Sequence, residues 1–252
     1  MSASCRTHYH VKVLVMNIYR AIREEMLVPI HPAGWPFIAL FAVITAVITS
    51  YYALFAVIGV PLTLWCVYFF RNPVRVTPQK EGWLIAPADG RVIAIGEAEP
   101  EAEMNLPEGK YRRVAIFMNV FDVHVNRAPI AGKVTDILYR KGKFVNASLD
   151  KASTDNERLA MTMEVDNKKK TKIAIVQIAG LVARRILCDA KVSDHLSAGQ
   201  VFGLIRFGSR VDIWMPLDTN VTVLIGQRCV AGETLIADLT NVTQEPDGSI
   251  ER

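Results

Sequence analysis

The chain has 252 residues, 51% of them hydrophobic and 21% charged, with a formal net charge of +4. That length accommodates one domain of ordinary size plus something smaller, and so mild a charge argues for a membrane surface over nucleic acid. The four cysteines (Cys5, Cys66, Cys188, Cys229) have no CxxC spacing, so neither a disulfide framework nor a cysteine metal site is supported.

In chain order, Val11 to Leu27 carries apolar residues at Val11, Leu14, Val15, Ile18, Ile22 and Met26, which predicts an amphipathic helix ending before Pro29. From Trp35 to Phe70 the sequence is almost wholly apolar, with no charged residue until Arg71. That run is too long for one membrane span. Broken at Ser50-Tyr51-Tyr52, it gives a helical hairpin with arms of about 16 to 18 residues, at the low end of the spanning range. A hairpin dipping into one leaflet is the rival reading. Arg6, Lys12, Arg20 and Arg23 precede the run, Arg71 and Arg75 follow it, and the tip has no Lys or Arg. The positive-inside rule then puts both ends in the cytoplasm. A cleaved signal peptide fits poorly, because the apolar run starts late and is long.

After Pro73 the character changes to short Val- and Ile-rich runs separated by Gly and Pro. Strands are predicted at Arg91–Ile95, Arg113–Met118, Lys133–Tyr139, Met161–Val165, Thr171–Ile178, Leu181–Leu187, Val201–Ile205, Val211–Trp214, Val221–Ile225 and Thr234–Ala237. A helical turn or two is expected near Ser153–Leu159, and Lys168-Lys169-Lys170 reads as a solvated turn. Ala86–Val92 and Ala128–Val134 both fit A-P-x-x-G-x-V, and Gly226–Leu235 resembles the tight turns of biotinyl- and lipoyl-type domains. The expectation is a mostly-β fold: a barrel-sandwich, hammerhead-like domain over residues 73–252, after a membrane-associated helical region over 1–72.

Chemistry has few candidates. Phe207-Gly208-Ser209-Arg210 lies between two strand-like runs and on turn chemistry reads as a hairpin. Gly208, lacking Cβ, also tolerates a geometry in which the Ser209 hydroxyl reaches its carbonyl. His124 and His195 are the two histidines of the β region, and Asp89 sits in a Pro-x-Asp-Gly turn. Asp89, His124 and Ser209 could form a triad, although spacing cannot establish one.

Six stretches together carry a resemblance: Ile30–Phe37, Ala86–Gly90, Phe121–Arg127, Asn146–Arg158, Gly180–Arg185 and Arg206–Arg210. They run in order over most of the chain, which resembles the short bacterial form of the phosphatidylserine decarboxylase proenzymes. The resemblance implies self-cleavage between Gly208 and Ser209, giving a large chain 1–208 and a small chain 209–252 that stay associated. Ser209 becomes an N-terminal pyruvoyl group, which forms a Schiff base with phosphatidylserine and, without any metal, releases phosphatidylethanolamine. It implies His124 paired with Asp89 as the base, a phospholipid substrate, the inner cell membrane as location, and a cytoplasmic-face catalytic domain. Homo-oligomerisation is allowed but not specified.

Arg127, Arg184 and Arg185 are candidates to bind the substrate phosphodiester or carboxylate, and Asn146, Lys151 and Asn156–Arg158 form a polar loop near the site. Longer family members have a second histidine where Arg127 stands, and Leu-Gly-Ser-Thr in place of Phe-Gly-Ser-Arg. His124 then does both jobs, or His195 enters. The alternatives from other classes are a membrane-anchored biotinyl/lipoyl-like carrier and a hydrolase using a freed N-terminal Ser209.

Overall fold

A computed structural model describes residues 28–142, 156–180, 185–206 and 208–242. The expected amphipathic helix at Val11–Leu27, the loop residues 146–155, residues 181–184 and Phe207 lie outside them. The chain divides into two compact units between Val74 and Arg75.

In the first unit, α1 (Trp35–Tyr51) and α2 (Ala56–Phe69) form the helical hairpin. Pro36 suits the first turn of α1, where its missing N–H has no helical partner to lose. Tyr52 leaves helical geometry at φ −133°, ψ 86°, and a short 3-10 turn at Ala53–Phe55 reverses the chain. The helices pack closely where Gly59 faces Thr45; an added Cβ would lie 2.7 Å from the threonine methyl. Thr45 and Thr63 hydroxyls meet across the pair at 3.2 Å. Backbone bonds His31 N–H to Phe70 O and Asn72 N–H to Pro29 O close the open end. No residue of α1 is buried. The helical stretch Pro32–Tyr51 has 20 residues and is long and apolar enough to cross a membrane; Ala53–Phe69 is shorter.

The second unit is mostly β. Its strands are β1 (Trp83–Ile85), β2 (Gly90–Ala98), β3 (Tyr111–Met118), β4 (Val125–Arg127), β5 (Gly132–Arg140), β6 (Arg158–Val165) and β7 (Lys172–Ala179). They continue with β8 (Ile186–Cys188), β9 (His195–Leu196), β10 (Val201–Ile205), β11 (Ser209–Pro216), β12 (Thr219–Val221), β13 (Arg228–Cys229) and β14 (Leu235–Val242). The large sheet, ordered β13-β2-β3-β11-β7-β6-β5-β9, curls into a half-barrel; smaller sheets are β1-β14-β12 and β4-β10-β8.

The A-P-x-x-G-x-V repeats explain much of this arrangement. Gly90 and Gly132 open β2 and β5, and a Cβ at either would sit 2.2 or 2.4 Å from the carbonyl oxygen of Phe117 or Glu164. Each strand then shifts register just after its repeat's valine, at Val92/Ala94 and Val134/Asp136. The repeats also exchange backbone bonds: Ile85 N–H donates to Pro129 O, and Arg127 N–H donates to Pro87 O. The large sheet is therefore pseudo-symmetric about the β11–β7 pair, with β2 matching β5 and β3 matching β6.

Alternate residues of the sheet face a core that includes Leu84, Val92, Ile116, Met161, Ile175 and Ile213. Full burial of such a side chain contributes about 1.5–3 kcal/mol. The opposite face holds Tyr111, Val176, Ile178 and Trp214, covered by Met104. Buried Arg158 lies beside this cover, with its guanidinium on Glu101 and Glu103.

One expectation is corrected. The Gly208–Ser209 turn joins no hairpin, because β10 and β11 belong to different sheets and neither pairs with the other. The turn carries the chain from a small sheet into the centre of the large one.

Candidate active site

Ser209 is the first residue of β11, paired with Met118 of β3 on one side and Ala179 of β7 on the other. It is fully buried, and its hydroxyl donates to the Met118 thioether sulfur at 3.4 Å. Gly208 before it has φ +64°, a left-handed conformation that costs other residues roughly 1–2 kcal/mol, although an added Cβ would meet nothing within 4 Å. The demand for glycine there is conformational. Strand alternation sends Arg210 to the opposite face, where it bonds Asp212 through two contacts of 2.6 and 2.7 Å, both side chains buried. Arg210, the departure from Leu-Gly-Ser-Thr, thus serves the strand.

His124 reaches the junction because β4 and β10 pair, and Ile205 N–H at the end of β10 donates to the His124 carbonyl at 3.3 Å. The imidazole is fully buried. Gly208 N–H donates to its Nε2 at 3.2 Å, and its Nδ1 lies 3.0 Å from the Asp122 carbonyl oxygen. The ring that satisfies both contacts carries its proton on Nδ1 and a lone pair on Nε2. Asp122 is itself fixed. Its carboxylate accepts from Asn119 N–H at 2.9 Å and from Arg228, and its own N–H donates to Asn119 O.

The sequence reading couples Asp89 to His124. In the structure the Asp89 carboxylate accepts from Arg75 at 2.8 and 3.0 Å and from Ala231 N–H at 2.7 Å. Burial pushes its pKa above the usual carboxylate value, opposed by Arg75 and the Ala231 amide and reinforced by the charge of Asp122. The hydrogen bonds that the Asp89 carboxylate accepts thus come from Arg75 and Ala231, while His124 Nδ1 contacts the Asp122 carbonyl. Arg127 belongs to the same cluster: it donates to Gly199 O at 2.9 Å, and burial and then Arg75 lower its pKa. Gly232 makes room for Arg127, since a Cβ there would lie 3.0 Å from its Cδ.

The remaining candidates lie apart from this group or outside the description. Arg184 is outside the described residues. Arg185 is exposed beside Arg206, whose pKa is lowered by burial and then by the charge of Arg185. His195 is an exposed residue of edge strand β9, 2.6 Å from Asp166, with β5, β6 and β7 between it and β11. Sequence reasoning missed four contributors: Met118 under Ser209, Arg75 on Asp89, and the Asp122–Arg228 pair behind His124.

These features define a β-rich unit that buries Ser209 at the head of its central strand, with an imidazole lone pair on the N–H of Gly208 just before it. The family model described as phosphatidylserine decarboxylase matches residues 62–237. A phosphatidylserine decarboxylase proenzyme of Ruegeria pomeroyi is 50% identical over 218 residues, covering 86% of this chain and 99% of that protein. One of Beijerinckia indica subsp. indica is 50% identical over 223 residues, covering 88% and 94%. The chain belongs to the phosphatidylserine decarboxylase family.

Proposed function

We propose that this protein decarboxylates phosphatidylserine to phosphatidylethanolamine, using a pyruvoyl group made from its own Ser209. The observation that carries the reading is the hydrogen bond from Gly208 N–H to His124 Nε2 beside the buried Ser209. It sets an imidazole nitrogen on the amide one peptide bond before the Gly208–Ser209 peptide to be cut.

The processing chemistry balances with these residues. His124 takes the Ser209 hydroxyl proton as Oγ adds to the Gly208 carbonyl carbon. The C–N bond to Ser209 breaks, the amine takes the proton, and an ester replaces the amide. Loss of the Ser209 α-proton with cleavage of Cβ–Oγ releases the Gly208 carboxylate and leaves dehydroalanine. One water then enters and one ammonia leaves, and residue 209 becomes pyruvoyl. The half-buried Asp89 carboxylate, which bonds Arg75 and Ala231 N–H, acts on the imidazole through its charge and favours its protonated form during these transfers.

The pyruvoyl carbonyl supplies the electron sink for loss of carbon dioxide from the amine-bearing substrate. The residues present fit such a group: position 209 is buried between β3 and β7, which hold the new N-terminus on both sides. Arg127, with Arg75 beside it, supplies positive charge for the anionic headgroup, and Arg185 with Arg206 forms a second positive pair. The exposed His195 takes no part. Strands β11 to β14 would lie in the small chain, interleaved with β1, β2, β3 and β7 of the large chain, so cleavage leaves the fragments sharing one core. The apolar hairpin would bring the enzyme to the inner cell membrane, with the β unit on its cytoplasmic face.

The test is release of carbon dioxide from carboxyl-labelled phosphatidylserine in detergent-dispersed vesicles. Wild type is expected to release it and Ser209→Ala to release none. A Ser209→Ala protein as active as wild type would refute the pyruvoyl reading.

A further inference from the structure

Next to Ser209 lie two buried amides that the processing scheme leaves unused. Asn126 and Gln177 are both fully buried. Gln177 Nε2 donates to Asn126 Oδ1 at 2.8 Å, which turns the Asn126 Nδ2 group toward Met118 Sδ at 3.8 Å. The Ser209 hydroxyl donates to that same sulfur. Gln177 Oε1 is buried with no hydrogen-bond partner.

A thioether is a weak acceptor, so this amide hydrogen is poorly used, and an unsatisfied buried oxygen costs about 1–3 kcal/mol. Native proteins rarely leave such groups without a reason. The placement supplies one. His124 stands just before β4 and Asn126 within it; the first contacts Gly208 and the second shares a sulfur with Ser209. Met118, with three rotatable bonds, can move aside at small cost and return both donors to the junction.

We propose that Asn126 is a further catalytic residue of self-cleavage. Its Nδ2 hydrogen receives the Gly208 carbonyl oxygen as that oxygen becomes an oxyanion under attack by Ser209, and Gln177 holds the amide in position. The proposal rests on the self-cleavage reading. A donor already in place in a dry site strengthens as charge develops on its acceptor, which is how such a group lowers the barrier.

The experiment follows chain splitting in freshly synthesised Asn126→Leu, Asn126→Ala and Gln177→Leu precursors, with and without hydroxylamine, which cleaves esters and spares amides. Both Asn126 variants are expected to split about 10²-fold more slowly than wild type, without acceleration by hydroxylamine, because the ester does not form. Gln177→Leu, which keeps the donor and loses its support, is expected to be slowed about tenfold, less than the roughly 10²-fold that a full misplacement costs. A folded Asn126 variant that splits at the wild-type rate, or splits promptly once hydroxylamine is added, overturns the proposal. Where both Asn126 variants fail to melt cooperatively, Gln177→Leu decides: slowed splitting supports the proposal and wild-type splitting overturns it. A wild-type chain that never splits would instead refute the underlying reading, whatever the variants do.

Discussion

Gly208 N–H and His124 Nε2 are hydrogen-bonded at 3.2 Å across 84 residues of sequence. The contact places an imidazole on the peptide immediately before the one that the proposed chemistry breaks. His124→Ala is therefore expected to slow splitting by at least about 10²-fold, the usual contribution of a positioned general base. Gel analysis of a time course after synthesis reads this. Splitting at the wild-type rate would exclude His124 as the base.

Arg228 lies downstream of the junction, and its guanidinium holds the Asp122 carboxylate whose backbone carbonyl fixes the His124 ring. Asp122→Ala is expected to slow splitting about tenfold through misplacement of the imidazole, with the smaller effect from Arg228→Ala because that side chain is 62% exposed. The same time course measures both. The order of the two effects is the informative result.

Arg210 and Asp212 form a buried two-point ion pair on the face of β11 opposite Ser209. Arg210→Leu leaves the Asp212 carboxylate buried with its principal partner gone, at a cost of about 3–5 kcal/mol. Thermal melting of the Ser209→Ala background, where no splitting complicates the transition, is expected to show a clear loss of stability. An unchanged melting temperature would mean that Arg113, 3.9 Å from Asp212, suffices alone.

Burial, with the Asp89 charge adding to it, pushes the Cys229 thiol up to about 12. Native protein at pH 8 should leave Cys229 unmodified by iodoacetamide and react only after denaturation, as peptide mapping would show. The sign of the pH effect follows. The folded state holds this proton more tightly than the unfolded chain, whose thiol titrates near 8.5, so the contribution to stability is full below that and falls as pH rises toward 12. Cys229→Ala should flatten that alkaline limb of the melting-temperature profile.

The β unit was legible where local chemistry decides structure. Val201–Ile205 is a strand at the predicted bounds, and the two A-P-x-x-G-x-V repeats do open matching strands, because proline and glycine impose their geometry locally. The break at Ser50–Tyr52 was legible as a polar interruption of an apolar run. Strand partners were not. Val201–Ile205 and Val211–Trp214 look like the arms of a hairpin, yet β11 pairs with β3 and β7, a choice set by distant residues.

Within the site, Ser209 and His124 stood out by residue type. Asp122 did not, because it acts on His124 through its backbone carbonyl, which every residue possesses. Arg75 was read as a charge flanking the membrane run, and its guanidinium instead holds Asp89. Gln177 was passed over inside an apolar strand, where an amide among Ile173, Ile175 and Ile178 was the available signal of a buried polar site.

The most direct test of the account is the intact mass of the purified protein alongside Ser209→Ala. The account predicts two chains from wild type, the smaller one comprising residues 209–252 and lighter by one ammonia than a chain beginning with free serine, and one full-length chain from Ser209→Ala. A single full-length wild-type chain in a preparation that decarboxylates phosphatidylserine would contradict it, as would a small chain bearing an intact N-terminal serine.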